Sequence, residues 1–200
     1  QWLCEGAVFP YDFDRFAAEK ILPMFAKYNI TTFCAPPTML RMMIREDLSK
    51  YDLSSVKHMT TAGEALNPEV YRQFEKATGL QIIEGFGQTE STMIIGNMVG
   101  ASHKIGSMGK PAPIYNVELI DADGNPCEDG DEGSLTIMDV KHHPPVGLFT
   151  GYYRNPEMTE EKLGGIGYNT GDVLWRDSEG YYRFVGRNDD VIKCSGYRIG

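Results

Sequence analysis

Two short runs rich in apolar and β-branched residues, Val56 to Thr61 and Gln81 to Glu84, enclose a helix marked at both ends. Asn67 stands at the cap, Pro68 in the first turn and Gly79 just past the last turn. Strand, bounded helix and strand in that order predict an α/β sheet with ligands held at its strand ends. The same alternation begins upstream. Asp12 and Asp14 are candidate N-caps for an amphipathic helix through Phe16, Ile21, Phe25 and Tyr28, with Pro23 as a kink. Ile30 to Cys34 reads as a strand, and Pro36-Pro37-Thr38 opens a helix with Leu40, Met43 and Ile44 at helical spacing.

After about Lys110 the texture changes to short strands and turns. Tyr115 to Ile120, Ser134 to Met138, Val173 to Trp175 and Tyr181 to Val185 are predicted strands. Asp121 to Asn125 and Asp177 to Gly180 are turn clusters. One helix interrupts them, from Asn155-Pro156 to Leu163. The expected organisation is an α/β portion over 1–109, a small β-barrel-like subdomain over 110–186, and a separate segment over 187–200.

Composition narrows the partners. A net charge of −9 argues against a nucleic-acid or anionic-membrane surface, which needs a positive footprint. No apolar run reaches the length of a membrane span and no leader opens the chain. Cys4, Cys34, Cys127 and Cys194 lack metal-ligand spacing and read as free thiols of a reducing compartment. Both ends read as cut, because Gln1 replaces a starting methionine and Gly200 stops inside a continuing segment.

Three motifs sit where elements are expected to end: Thr60 to Ala65, Gly85 to Glu90, and Thr170-Gly171-Asp172 followed by Gly186 to Asp190. Singly, each reads as a turn, a core aromatic or a solvated ion pair. Together they supply what a nucleotide needs. Phe86 offers an aromatic face, and flanking glycines allow close backbone approach. Asp172 can accept from both ribose hydroxyls, Thr89 can donate to a phosphate, and Glu90 is a hard oxygen ligand for Mg²⁺.

The order T-T-A-G-E-A-L, G-F-G-Q-T-E, T-G-D and G-R-N-D-D-V-I-K-C-S-G-Y-R-I-G resembles the adenylate-forming superfamily of acyl-CoA synthetases, luciferases and peptide-synthetase adenylation domains. K-I-G-S-M-G-K and G-Y-Y-R-N-P-E-M-T are most similar to its medium-chain acyl-CoA synthetases. The resemblance implies the distal part of a large N-terminal α/β domain, then the small barrel-like subdomain, ending at a hinge. It implies an adenine pocket of Gly63, Glu64, Ala65, Glu84, Gly85 and Phe86, with Gly87 and Gln88 also in the nucleotide site. Thr89 would meet the α-phosphate, Glu90 would hold Mg²⁺, and Asp172 and Arg187 would bind the ribose. Asp189 matches the hinge, Lys193 would face the adenylate, and Gly196, Tyr197 and Arg198 would line the coenzyme A path. Thr89, Glu90 and Lys193 are the implied catalytic set.

The implied reaction joins a carboxylic acid to coenzyme A through acyl-AMP, with ATP and Mg²⁺. In the acetyl-specific branch a tryptophan occupies the position of Gly87, so an open acyl pocket for a longer or bulkier acid is expected. A carrier-protein thiol in place of coenzyme A, or a nucleotide-binding module without turnover, are the alternatives. The family's phosphate loop and C-terminal domain are absent from residues 1–200. The isolated chain is therefore expected to be inactive, to expose apolar surface and to self-associate. A cytoplasmic location is expected, or the mitochondrial matrix in a eukaryote.

Overall fold

In the computed structural model, residues 5–98 and 100–188 are described in full, with the backbone of 192–194 and 197–199. The first described helix, α1 (Ala18–Lys27), starts later than predicted and without a side-chain cap. Asp12 and Asp14 therefore do not cap it. Its start is set by packing, because Ile21, Leu22 and Phe25 are buried on one face. Pro23 lies inside α1, which runs unbroken to Lys27.

Strand β1 (Thr32–Cys34), helix α2 (Pro37–Met43), strand β2 (His58–Thr61), helix α3 (Pro68–Thr78) and strand β3 (Ile82–Gly87) follow in the expected order. Helix α3 ends as its residues dictate. Asn67 accepts from the Glu69 amide, and Gly79 takes the left-handed conformation at φ 72°. β1, β2 and β3 pair in parallel, Phe33 beside Met59 and Thr60 beside Ile83. Two strands that the sequence does not announce, β4 (Met93–Gly96) and β5 (Lys110–Pro111), extend the sheet antiparallel to the order β1-β2-β3-β4-β5. Pairing with β4 also carries β3 through Gly85-Phe86-Gly87, a loop by sequence alone. Glycines are weak strand formers, and here the neighbouring strand supplies the order.

The second half is an antiparallel meander of β6 (Val117–Ile120), β7 (Glu132–Met138), β8 (Gly167–Arg176) and β9 (Tyr182–Arg187). Helix α4 (Pro156–Leu163) sits between β7 and β8, capped by Asn155 on the Met158 amide. Thr170-Gly171-Asp172, a turn by its residue types, lies inside β8. An isolated bridge between Gly109 and Tyr182 ties β9 to the segment entering β5. Gly109 must be glycine, since φ is 107° and a Cβ would collide with the Gly96 carbonyl. The last two strands, β10 (Ile192–Cys194) and β11 (Tyr197–Ile199), form an antiparallel pair.

Buried apolar residues form two clusters. The first gathers Leu22, Phe25, Leu40, Met43, Phe74 and Ile82, and the second Phe86, Ile94, Ile95, Leu119, Leu135 and Leu174. Strand β3 contributes to both, through Ile82 and Phe86, so the residues between them lie where the two cores meet.

Candidate functional site

Where β3 passes from one core to the other, a cavity of roughly 370 Å³ opens. Its lining includes Gly63, Glu64 and Ala65 from the loop after β2, and Glu84 to Gly87 from β3. Two motifs distant in the chain thus form one wall, because β2 and β3 are adjacent parallel strands. Gly63 turns the chain out of β2 at φ 93°. Leu66, further along that loop, donates its amide to Glu84 Oε1 at 3.0 Å. Glu84 is 5% exposed, and burial raises its carboxyl to about 7 despite that hydrogen bond.

Glu64 is held from the other side. Thr38 Oγ1 lies 3.0 and 3.1 Å from its two oxygens, and Arg41 stands 3.6 Å away. Arg41 lines the cavity with Met108 and Phe184, three residues that sequence reasoning does not assign to the site. Met108 lies in the K-I-G-S-M-G-K stretch, which is a usable signal. Phe184 sits in a predicted strand and Arg41 on a helix, where nothing local distinguishes them from packing or surface residues. Phe86 is 8% exposed and belongs to the second core as well as to the wall. Gly87 also lines the cavity, yet a Cβ there would meet the Thr92 carbonyl oxygen at 2.5 Å. The bulge between β3 and β4 therefore selects glycine at 87 independently of any ligand.

Beyond Gly87 a second, polar set gathers outside the cavity lining. Asp172 is fully buried, with Oδ1 3.0 Å from Arg187 Nη1 and Oδ2 accepting from Gln88 Nε2. The Gln88 amide nitrogen also donates to the Thr170 carbonyl at 2.9 Å, and Gln88 Oε1 accepts from Tyr168 at 2.7 Å. Thr89 is exposed in the turn after β3. Glu90 is half-buried, with Oε1 accepting from the Tyr152 hydroxyl at 3.0 Å. Phe149 packs edge-on against both Tyr152 and Tyr168.

So Gly63 to Ala65 and Glu84 to Gly87 meet in one cavity, and Gln88, Asp172 and Arg187 meet beside it. Asp189 and Gly196 lie outside the described residues. Lys193, Tyr197 and Arg198 lie there too except for their backbone, in which Lys193 pairs with Arg198 and Cys194 with Tyr197. Among the described residues, no group of three or more His, Cys, Asp or Glu side chains is placed to hold a metal. No described helix is long and apolar enough to cross a membrane.

Comparison with known proteins places this geometry in context. The family described as AMP-binding enzyme matches residues 2–153. Over its whole length the chain is 47% identical to acyl-coenzyme A synthetase ACSM3, mitochondrial, of Rattus norvegicus, and covers 34% of it. The anthranilate CoA ligase AuaEII, solved in complex with anthranoyl-AMP, superposes with a TM-score of 0.78 at 30% identity. That match covers 91% of this chain and 34% of the ligase. An acyl-CoA synthetase of Brucella canis superposes with a TM-score of 0.76 at 34% identity, over 93% of this chain and 34% of that one. The chain spans about a third of the length of the curated relatives it matches.

Proposed function

The chain belongs to the AMP-binding enzyme family, and from that premise we propose that the full-length protein carrying it is an AMP-forming acid–thiol ligase. A carboxylate oxygen attacks the α-phosphorus of ATP and the bond to pyrophosphate breaks, leaving acyl-AMP. The thiol of coenzyme A then attacks the acyl carbon, and AMP departs with the oxygen of the broken anhydride bond. The observation that carries this reading is the single cavity in which Gly63 to Ala65 face Glu84 to Gly87, beside the Gln88–Asp172–Arg187 cluster.

In this reading the adenine lies in the cavity, against the loop after β2 and Phe86. The ribose hydroxyls meet Asp172 and Arg187. Thr89, exposed at the turn, donates to the α-phosphate. Glu90 fits Mg²⁺, because its half-buried carboxylate directly follows Thr89 and Mg²⁺ is commonly held by one or two carboxylates plus substrate phosphates. When bound, the ion offsets phosphate charge and so eases the approach of a second anion. Asp189 serves as the hinge, Lys193 faces the adenylate, and Gly196, Tyr197 and Arg198 border the coenzyme A path.

An acid longer or bulkier than acetate is supported by the anthranilate CoA ligase that the chain resembles at 30% identity, whereas Gly87, fixed by its approach to Thr92, does not bear on it. A mitochondrial location is proposed from the name of the rat relative. The test is acid-dependent ATP–pyrophosphate exchange by the full-length protein, across acids from acetate to octanoate plus benzoate. Exchange with four- to eight-carbon acids or benzoate above that with acetate is expected. Exchange with none of them, or best with acetate, defeats the reading.

A further inference from the structure

We propose that Gln88 is a positioning residue, whose side-chain amide aims the Asp172 carboxylate at the ribose hydroxyls of the nucleotide. The proposal rests on the ribose role given to Asp172 above, and adds the group that holds Asp172 in place.

A carboxamide can be turned end for end, so its orientation must be argued from its neighbours. Around Gln88 they settle it. On the nitrogen side stand two acceptors, the Thr170 carbonyl and Asp172 Oδ2. On the oxygen side stands the Tyr168 hydroxyl, 2.7 Å from Oε1. Turning the amide would set its oxygen against both acceptors and forfeit both bonds. Burial raises the Tyr168 hydroxyl well above its ordinary range, with Glu90, Tyr152 and Asp172 adding to the effect, so it remains a donor at neutral pH.

Asp172 has no exposed surface, so protein groups set its direction. Its amide is held by Thr170 Oγ1 at 3.2 Å, Oδ1 by Arg187 and Oδ2 by Gln88. The Gln88 side chain also connects the two halves of the site. Gln88 precedes Thr89 and Glu90, and Tyr168, Phe149 and Tyr152 lead from its oxygen back to Glu90.

Gln88→Met keeps the length of the side chain, removes both amide donors and tests the idea in the full-length protein at a single pH. The preference for ATP over 2′,3′-dideoxy-ATP should narrow about tenfold in Gln88→Met, because Asp172 Oδ2 loses its amide donor. An unchanged preference overturns the proposal. Thermal melting of the variant checks its fold. If it does not fold, Tyr168→Phe removes only the hydroxyl that orients the amide, and should narrow the preference for ATP over 2′,3′-dideoxy-ATP. An unchanged preference again overturns the proposal. A wild type indifferent to the missing hydroxyls would instead refute the ribose role of Asp172, and Gln88 with it. A discriminating wild type with a normal Gln88→Met variant refutes Gln88 alone.

Discussion

Glu84 shows how a side chain's behaviour can escape its motif. Its motif implies a place in a nucleotide pocket, and in the structure it lines the cavity between the two cores. Its protonation is not legible in the motif, because burial depends on the Leu66 loop above it and on the strands around it. Its folded-state value of about 7 exceeds the ordinary 4.5, so the folded chain binds the proton more tightly than the unfolded one. This contribution to stability is fully present below about pH 4.5 and is lost as pH rises through about 7. Glu84→Gln retains an acceptor for the Leu66 amide and removes the titration. Thermal melts between pH 4.5 and 8 should show the wild type losing on the order of 2–3 kcal/mol relative to Glu84→Gln across that window. Parallel curves for the two proteins would show that Glu84 is not protonated by its surroundings. Gly87 carries a related lesson. By motif it is expected to leave room for a ligand, whereas its close approach to Thr92 belongs to a bulge that only the paired strands reveal.

Elements bounded by their own residues appear where expected. The Asn155 cap of α4 and the Asp177 to Gly180 hairpin turn work through bonds made within a few positions. The hairpin turn also shows where local reading stops. Asp177 accepts from the Glu179 and Tyr181 amides, as a turn aspartate should, and also from Lys104 at 2.8 Å and Arg183 at 3.1 Å. Burial opposes its charge, but Lys104, the Tyr181 amide and Arg183 outweigh it and hold the carboxyl well below the usual range. The stabilisation is therefore present above about pH 4 and lost as pH falls further. Asp177→Asn should destabilise the chain by about 1–2 kcal/mol in urea unfolding at pH 7, and the difference should begin to shrink only below about pH 4, where the unfolded carboxyl takes up its proton. A gap that stays constant from pH 7 down to the lowest pH at which the chain is folded would assign the effect to turn geometry instead. Strands supported by partners are harder to read. β4, β5 and the glycine-rich end of β3 owe their order to one another, and Thr170 to Asp172 read as a turn until β7 and β9 stand beside them.

The molecule is two apolar cores sharing strand β3, with Gly109 and Tyr182 bridging the second sheet to the first. One surface remains apolar. Phe9, Tyr11, Phe13 and Tyr28 are each at least 40% exposed, and Phe9 packs on Tyr28 at 4.5 Å between ring centroids. The isolated chain is expected to associate through these rings, so sedimentation velocity should show a concentration-dependent increase that Phe9→Ser with Phe13→Ser reduces. A monomer at all concentrations would show the patch to be inert. The sequence by itself determined the alternation of elements through β3 and the boundaries of α3 and α4. Each of these follows from bonds and packing periodicities spanning only a few positions. Tertiary structure alone decided that Gln88 meets Asp172 across 84 positions, that Arg41 and Phe184 join the cavity, and that Glu84 is buried. Those outcomes depend on how two sheets pack around β3, which no local pattern of residues encodes.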